Sequence, residues 1–306
     1  MGGDWRQHPL VRPERPARRR ARAGPCLPAS KNGISRPAAS RSDTWRGPAR
    51  AGGVTDPSVL LFHGYPTWAE VWLPLFRSLG ARAWIAPDLP CHDKSSVLPG
   101  KDRSLTAYRR AVTAFVDALR LPKLAVVGSS MGGSLGIMLA LDRPDLVERL
   151  VLLDAAGLTA KIPGRAVRLY LPFLLPCFVR APGPGSVREL LRKGVFFDPR
   201  YADDAWVRTI VEEWAPRARR SAFVATGFAL RRRDASIAAD LGRVRVPTLV
   251  VWGRQDPQFA WREGEAAARR IPGARFAALE GCGHFPMVEK PQETGKLVSE
   301  FLASSR

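Results

Sequence analysis

Three side chains in this 306-residue chain, Ser130, Asp256 and His284, are of the types that together activate a hydroxyl group. Ser130 is the centre of Gly128-Ser129-Ser130-Met131-Gly132, a G-x-S-x-G pentapeptide. Before it lies the β-branched apolar run Leu124 to Val127, and after it come Leu135, Met138, Leu139 and Leu141 at helical spacing, so the motif joins a strand to a helix. A turn that sharp admits only small residues two places either side of the serine, and it lifts the hydroxyl to the top of a sheet. A serine hydroxyl becomes a strong nucleophile only when a base takes its proton. Imidazole can do so near neutral pH, and a carboxylate can hold the ring in the right tautomer and stabilise its cation.

The other two residues are placed to meet that need. Asp256 follows the apolar run Pro247 to Trp252 through Gly253-Arg-Gln, and His284 follows Ala274 to Leu279 through Gly281-Cys-Gly. In a parallel α/β sheet all strands end on one edge, where sites form, so both residues should project beside Ser130. Of four histidines, His8 lies in a basic N-terminal stretch and His63 and His92 in early loops, which leaves His284 as the base. Asp154, at the end of Arg149 to Leu153, is a rival for the acid. Two backbone N–H groups could hold an oxyanion: Met131, at a helix N-terminus, and Tyr65, in the loop His63-Gly64-Tyr65-Pro66 that leaves the strand Ser58 to Phe62.

The elements that must position these groups alternate along the chain. Ser58–Phe62, Arg82–Asp88, Leu124–Val127, Arg149–Asp154, Pro247–Trp252 and Ala274–Leu279 read as strands. Helices are predicted with Trp68, Val71, Trp72, Leu75, Phe76 and Leu79 on one face, over Leu105–Leu121, and from Pro291 through Leu302. Between residues 158 and 240 the rhythm stops and Pro-punctuated helical segments take over, predicting an inserted unit. Its apolar stretch Leu169–Phe178, with Tyr170, Phe173 and Phe178, either lines a pocket or covers the sheet. Residues 1–53 carry 11 Arg and one Lys against three acidic residues, with seven Pro and no apolar period, the composition of a disordered arm. The core is then expected over 54–157 and 241–306.

Composition narrows the class further. The net charge is +20, yet 40 of the 48 basic residues are Arg and no nucleic-acid recognition motif is present, so the charge does not specify a nucleic-acid partner. Cys26, Cys91, Cys177 and Cys282 are too scattered for a disulfide framework or a zinc site. The most apolar stretch, Ala166–Val179, is shorter than the ~20 residues that span a bilayer. With no signal-peptide pattern, a cytoplasmic location is the expectation.

The order Ser, Asp, His along the chain, with His63-Gly64-Tyr65-Pro66, Asp88-Leu-Pro, Gly128-Ser-Ser-Met-Gly132, Gly253-Arg-Gln-Asp256 and Gly283-His284, resembles the α/β-hydrolase superfamily from about Ser58 onward. The resemblance implies a mostly parallel, eight-stranded-type sheet with helices on both faces, a helical cap, no cofactor, and hydrolysis of a small ester-like substrate through an acyl-enzyme. Ser130 sets the chain with esterases, lipases and C–C bond hydrolases rather than with relatives that use Asp as nucleophile. Two departures stand out. Cys91 and Asp93 occupy positions where the family usually has Gly, and nothing before Ser58 reads as the first two strands, which would leave a sheet edge unpaired. A non-catalytic relative lacking those strands is the alternative outside enzymes.

Overall fold

The computed structural model describes residues 44–46, 58–79, 82–93, 95–159, 180–230 and 236–304. Among the described residues, seven strands form one sheet: β1 (Thr44–Arg46), β2 (Val59–Phe62), β3 (Trp84–Pro87), β4 (Leu124–Ser129), β5 (Val147–Leu153), β6 (Thr248–Gly253) and β7 (Arg275–Leu279). They lie in the order β1-β3-β2-β4-β5-β6-β7. Six are parallel; β1 alone runs antiparallel, pairing Thr44 with Pro87 and Arg46 with Ile85. Helices cover both faces of a parallel sheet, so β2, β4 and β6 are buried along their whole length and read as unbroken apolar runs.

Two expectations change here. Thr44–Arg46 falls inside the stretch read as disordered, yet it covers the β3 edge that would otherwise be unpaired. An antiparallel edge strand needs only backbone donors and acceptors over a few residues, so composition conceals it. Trp68 to Leu79 is not one helix but a 3₁₀ turn (Ala69–Trp72), one α turn (Leu73–Phe76) and a second 3₁₀ turn (Arg77–Leu79). Pro74 has no N–H to give to a continuous ladder and is tolerated only in a first helical turn, so the α geometry restarts at Leu73.

Helices connect the strands as their sequences dictate. α1 (Leu105–Leu119) starts where the Ser104 side chain accepts the Ala107 N–H (3.2 Å), and it ends at Arg120 in the left-handed region. α2 (Met131–Asp142) is buried from Met131 through Ala140 between the strands and their covering layer, which explains its almost uniformly apolar composition. Between β5 and β6 the described residues 180–230 are helical: α3 (Pro184–Gly194), α4 (Asp204–Trp214) and α5 (Arg217–Ala229). α6 (Trp261–Ala268) and α7 (Pro291–Ala303) complete the chain, with Pro291 in the first turn of α7.

The helical insertion rests on the loops at the strand ends. Tyr65 donates its phenol O–H to the Phe223 carbonyl (3.2 Å) and stacks on the Phe223 ring (4.6 Å), which ties α5 to the loop after β2. Gln258 donates to the Gly194 carbonyl (2.7 Å) and the His284 N–H to the Val195 carbonyl (2.8 Å), which ties the end of α3 to the loops after β6 and β7. Among the described residues, no helix is long and apolar enough to cross a membrane.

Candidate active site

Ser130 sits between the last residue of β4 and the first of α2 with φ 51° and ψ −119°, a conformation L-residues seldom adopt. Strain of this size persists only where the surroundings hold it, and here they do. The Ser130 N–H bonds to the Leu153 carbonyl (3.0 Å), and its carbonyl accepts from Gly133 and Ala156 (both 3.0 Å). A β-carbon at Gly132 would lie 2.0 Å from the Phe62 carbonyl oxygen, and one at Gly128 would lie 2.3 Å from that of Gly132. Only glycine lets β2, β4 and α2 crowd together beneath the serine, which is the physical content of the pentapeptide.

His284 and Asp256 meet at the same sheet edge. Asp256 lies three residues past β6 and His284 five past β7. The His284 Nδ1–H donates to Asp256 Oδ2 at 2.8 Å, and both side chains are wholly buried. Asp256 Oδ1 accepts the N–H groups of Gln258 (2.7 Å) and Phe259 (3.2 Å), which fix its orientation. With the proton on Nδ1, the lone pair is on Nε2, which is buried without a hydrogen-bond partner among the described residues. Ser130 Oγ makes no hydrogen bond to it.

Asp154, the rival acid, lies beside this pair without taking its place. It follows β5 directly, has φ 43°, and accepts the Gly253 N–H through Oδ1 (3.0 Å). Polar atoms of Asp154, Asp256 and His284 all lie within 4.8 Å of one another. This group has the donor atoms for a cation, but His284 Nδ1 is already bonded to Asp256 Oδ2. Burial first, and Asp256 second, raise the Asp154 carboxyl well above the usual carboxylate range.

The loop after β2 approaches Ser130 from the other side. A β-carbon at Gly64 would lie 2.8 Å from the Ser130 β-carbon, so the loop carrying Tyr65 is in contact with the serine. Met131 opens α2, where the first N–H groups have no partner within the helix. Both backbone groups named from the sequence therefore belong to segments that adjoin Ser130. His63 is locked: its Nδ1 bonds the Gly64 carbonyl (2.9 Å) and its Nε2 accepts the Leu89 N–H (2.8 Å). His92 donates to the Pro90 carbonyl (2.9 Å), and burial lowers it to about 4. Cys91 and Asp93 have φ 70° and 38°, the conformation for which the resemblance expects Gly.

Tyr170, Phe173 and Phe178 lie outside the described residues. Other residues around the site escaped the sequence reading. Glu289 accepts the N–H groups of Phe197 (2.8 Å) and Asp198 (3.2 Å) through Oε2 and that of Gly283 (2.9 Å) through Oε1, joining the insertion to the His284 loop. The signal was a lone carboxylate directly after the apolar Phe285-Pro-Met-Val288. Trp206 of α4 packs on Trp68 (5.4 Å) and Phe285 (6.3 Å), a contact between three distant segments that no local pattern announces.

Comparisons with known proteins agree with this architecture. A family model described as alpha/beta hydrolase fold matches residues 57–291. Monoacylglycerol lipase ABHD6 of Rattus norvegicus is 26% identical over 274 residues, covering 81% of this chain and 76% of its own. The uncharacterized protein Rv2715 of Mycobacterium tuberculosis is 28% identical over 263 residues, covering 80% and 75%. Among solved structures, a membrane phospholipase A has a TM-score of 0.71 at 28% identity, covering 85% of this chain and 81% of that one. A 2-hydroxy-6-oxo-6-phenylhexa-2,4-dienoate hydrolase from Rhodococcus has a TM-score of 0.71 at 21% identity, covering 81% and 91%, a likeness of fold alone.

Proposed function

Since the chain belongs to the α/β-hydrolase fold family, we propose that it is a serine hydrolase cleaving carboxylic esters of small or medium apolar acyl groups through an acyl-enzyme. The observation that carries this reading is the buried His284–Asp256 hydrogen bond with Nε2 left as an acceptor, on the sheet edge where Ser130 stands. Ser130 Oγ attacks the ester carbonyl carbon as its proton passes to Nε2. The carbonyl electrons collect on an oxyanion that the N–H groups of Met131 and Tyr65 stabilise. The imidazolium, stabilised by Asp256, gives its proton to the departing alkoxide, leaving an ester between the acyl group and Ser130. Water then repeats the attack with His284 as base, Ser130 regains its proton and the carboxylic acid leaves.

The relatives support an ester substrate over a C–C bond. Those above 25% identity include proteins named monoacylglycerol lipase and membrane phospholipase A, whereas the phenylhexadienoate hydrolase stands at 21%. The test sets aryl esters of graded acyl length against a coloured ring-cleavage dienoate, with fluorophosphonate labelling as an independent measure of the serine. Ester turnover and labelling that both vanish in Ser130→Ala are expected. Turnover of the dienoate alone would move the chain to the C–C hydrolases, and absence of both turnover and labelling would make it a non-catalytic relative.

A further inference from the structure

The second buried carboxyl beside His284 is unused by this mechanism, and its surroundings define its state. Polar atoms of Asp154 and Asp256 lie within 4.8 Å of each other, and both side chains are buried. Two carboxylates in so dry a place cannot both ionise, so one keeps a proton. The backbone decides which. Asp256 receives three N–H donors, from Gln258, Phe259 and His284, whereas Asp154 receives one, from Gly253. Asp154 Oδ2 is buried with no donor among the described residues, an arrangement costly for a carboxylate oxygen and suitable for a protonated one.

We propose that Asp154 is a positioning residue: a neutral carboxylic acid whose Oδ2–H donates to the Asp256 carboxylate, so that the pair carries one negative charge, held toward His284. The inference rests on the hydrolase reading for its kinetic consequences. A proton on Oδ2 turns an orphaned acceptor into a donor and adds a further hydrogen bond that stops Asp256 from rotating away from Nδ1. It also sets the charge that His284 feels. One carboxylate beside the ring suffices to stabilise the cation formed during attack. The other titratable groups facing Asp154 are Cys282, in the loop before His284, and Glu289, in the turn Pro286–Glu289. The Cys282 thiol is pushed up by burial and Glu289 is raised to about 7, so neither brings a positive charge that would draw the proton off Asp154.

The decisive variant is Asp154→Asn. Asn tolerates the left-handed backbone at this position, keeps an oxygen for the Gly253 N–H and offers an amide N–H to Asp256, so it copies the neutral acid. Ester turnover within about threefold of the native protein is expected, with the acidic limb of the kcat/KM profile moved by less than about 0.3 pH unit, since no charge near the base changes. The infrared difference between native and variant proteins should show loss of a protonated-carboxyl C=O band and no loss of carboxylate bands. Asp154→Ala, which removes the donor, should lower kcat at least about tenfold with KM little changed. Should the Ala variant not fold, the Asn variant decides alone. An acidic limb lowered by about one pH unit or more in Asp154→Asn, or a lost carboxylate band, would overturn the proposal by showing Asp154 ionised. If native protein turns over no ester, the hydrolase reading fails, but the infrared comparison still reports whether Asp154 holds a proton.

Discussion

Among the described residues, two clusters of buried histidine and aspartate stand behind the same sheet edge, and their rings meet different partners. One, at the ends of β2 and β3, contains His63, His92 and Asp88; the other, at the ends of β5, β6 and β7, contains Asp154, Asp256 and His284. His63 and His284 are in the same tautomer, with the proton on Nδ1, because Nε2 of His63 accepts a backbone N–H and Nδ1 of His284 faces a carboxylate. What differs is the partner. His63 gives its proton to a carbonyl and its lone pair to the Leu89 N–H, so both nitrogens are committed to holding one loop against another. Burial, and His92 beside it, hold His63 well below its usual range, so it stays neutral. His284 has a carboxylate that can stabilise a positive ring and a lone pair with no partner among the described residues. Residue type and burial are alike in the two clusters, so what each ring can do is decided by what its two nitrogens meet.

The largest effect that would test this contrast is at Asp256. Asn keeps the shape but can present an N–H to Nδ1, and it removes the charge that stabilises imidazolium. In a serine protease the corresponding change lowers turnover about 10⁴-fold, roughly 5 kcal/mol at ~1.36 kcal/mol per tenfold. Asp256→Asn is therefore expected to lose at least about a hundredfold in kcat on an aryl ester, with KM little changed. Equal losses in Asp154→Asn and Asp256→Asn would mean that the two carboxyls act as a single unit and that the hydrogen-bond partners do not separate them.

His63 should behave in the opposite way. Replacing it by Ala leaves the buried Leu89 N–H without an acceptor, which costs about 1–3 kcal/mol before any loss of packing. The expected outcome is a clear fall in the denaturant midpoint, with a smaller loss of turnover per folded molecule than in Asp256→Asn. A variant of native stability with turnover abolished would give His63 a chemical task and erase the distinction between the clusters.

How far this division could be read from the sequence follows from which forces are local. The parallel strands were legible because burial on both faces turns β2, β4 and β6 into unbroken apolar runs. The placement of Ser130, Asp256 and His284 near strand ends was legible because each lies within five residues of the end of a strand-like apolar run. The bond between Asp256 and His284, and the exclusion of Asp154 from it, depends on how the loops after β6 and β7 pack against each other, and nothing in the spacing of those residues records that. Glu289 was missed because its partners are backbone N–H groups of Phe197, Asp198 and Gly283, which have no residue-type signature. β1 was missed for a related reason: Thr44–Arg46 pairs through backbone alone, inside a stretch whose Arg and Pro content argued for disorder.

That strand supplies the next prediction. Deleting residues 1–50 removes β1 and exposes the hydrogen-bonding edge of β3, next to the structural cluster and remote from Asp256 and His284 in the strand order. A lowering of Tm by a few degrees is expected, about what one or two net backbone hydrogen bonds are worth in a domain of this size, with kcat unchanged. Loss of turnover at unchanged Tm would tie the β1 side of the sheet to the chemistry and weaken the contrast.

The smallest expected effect concerns the seam between the structural side and the helical insertion. Glu213 of α4 lies against Asp93, in the loop after β3, and bonds to Arg219 at 2.8 Å. Burial, and then Asp93, raise Glu213 from its ordinary 4.5 to about 7. The folded protein therefore holds a proton on Glu213 at pH values where the unfolded chain has released it. Stability from this group is complete below about 4.5 and is lost as pH rises through about 7. Glu289, also raised to about 7, gives a slope of the same sign, so Tm of the native protein should fall as pH rises across this window. Glu213→Gln fixes the neutral form on one of the two groups and should flatten the fall only in part, by about 1–3 °C between the ends of the window. Because Glu213 touches neither cluster, the pH profile of kcat/KM should not move. A Tm slope unchanged by the substitution would show that Glu213 ionises freely in the folded protein and that the contact with Asp93 does not bind the insertion to the loop.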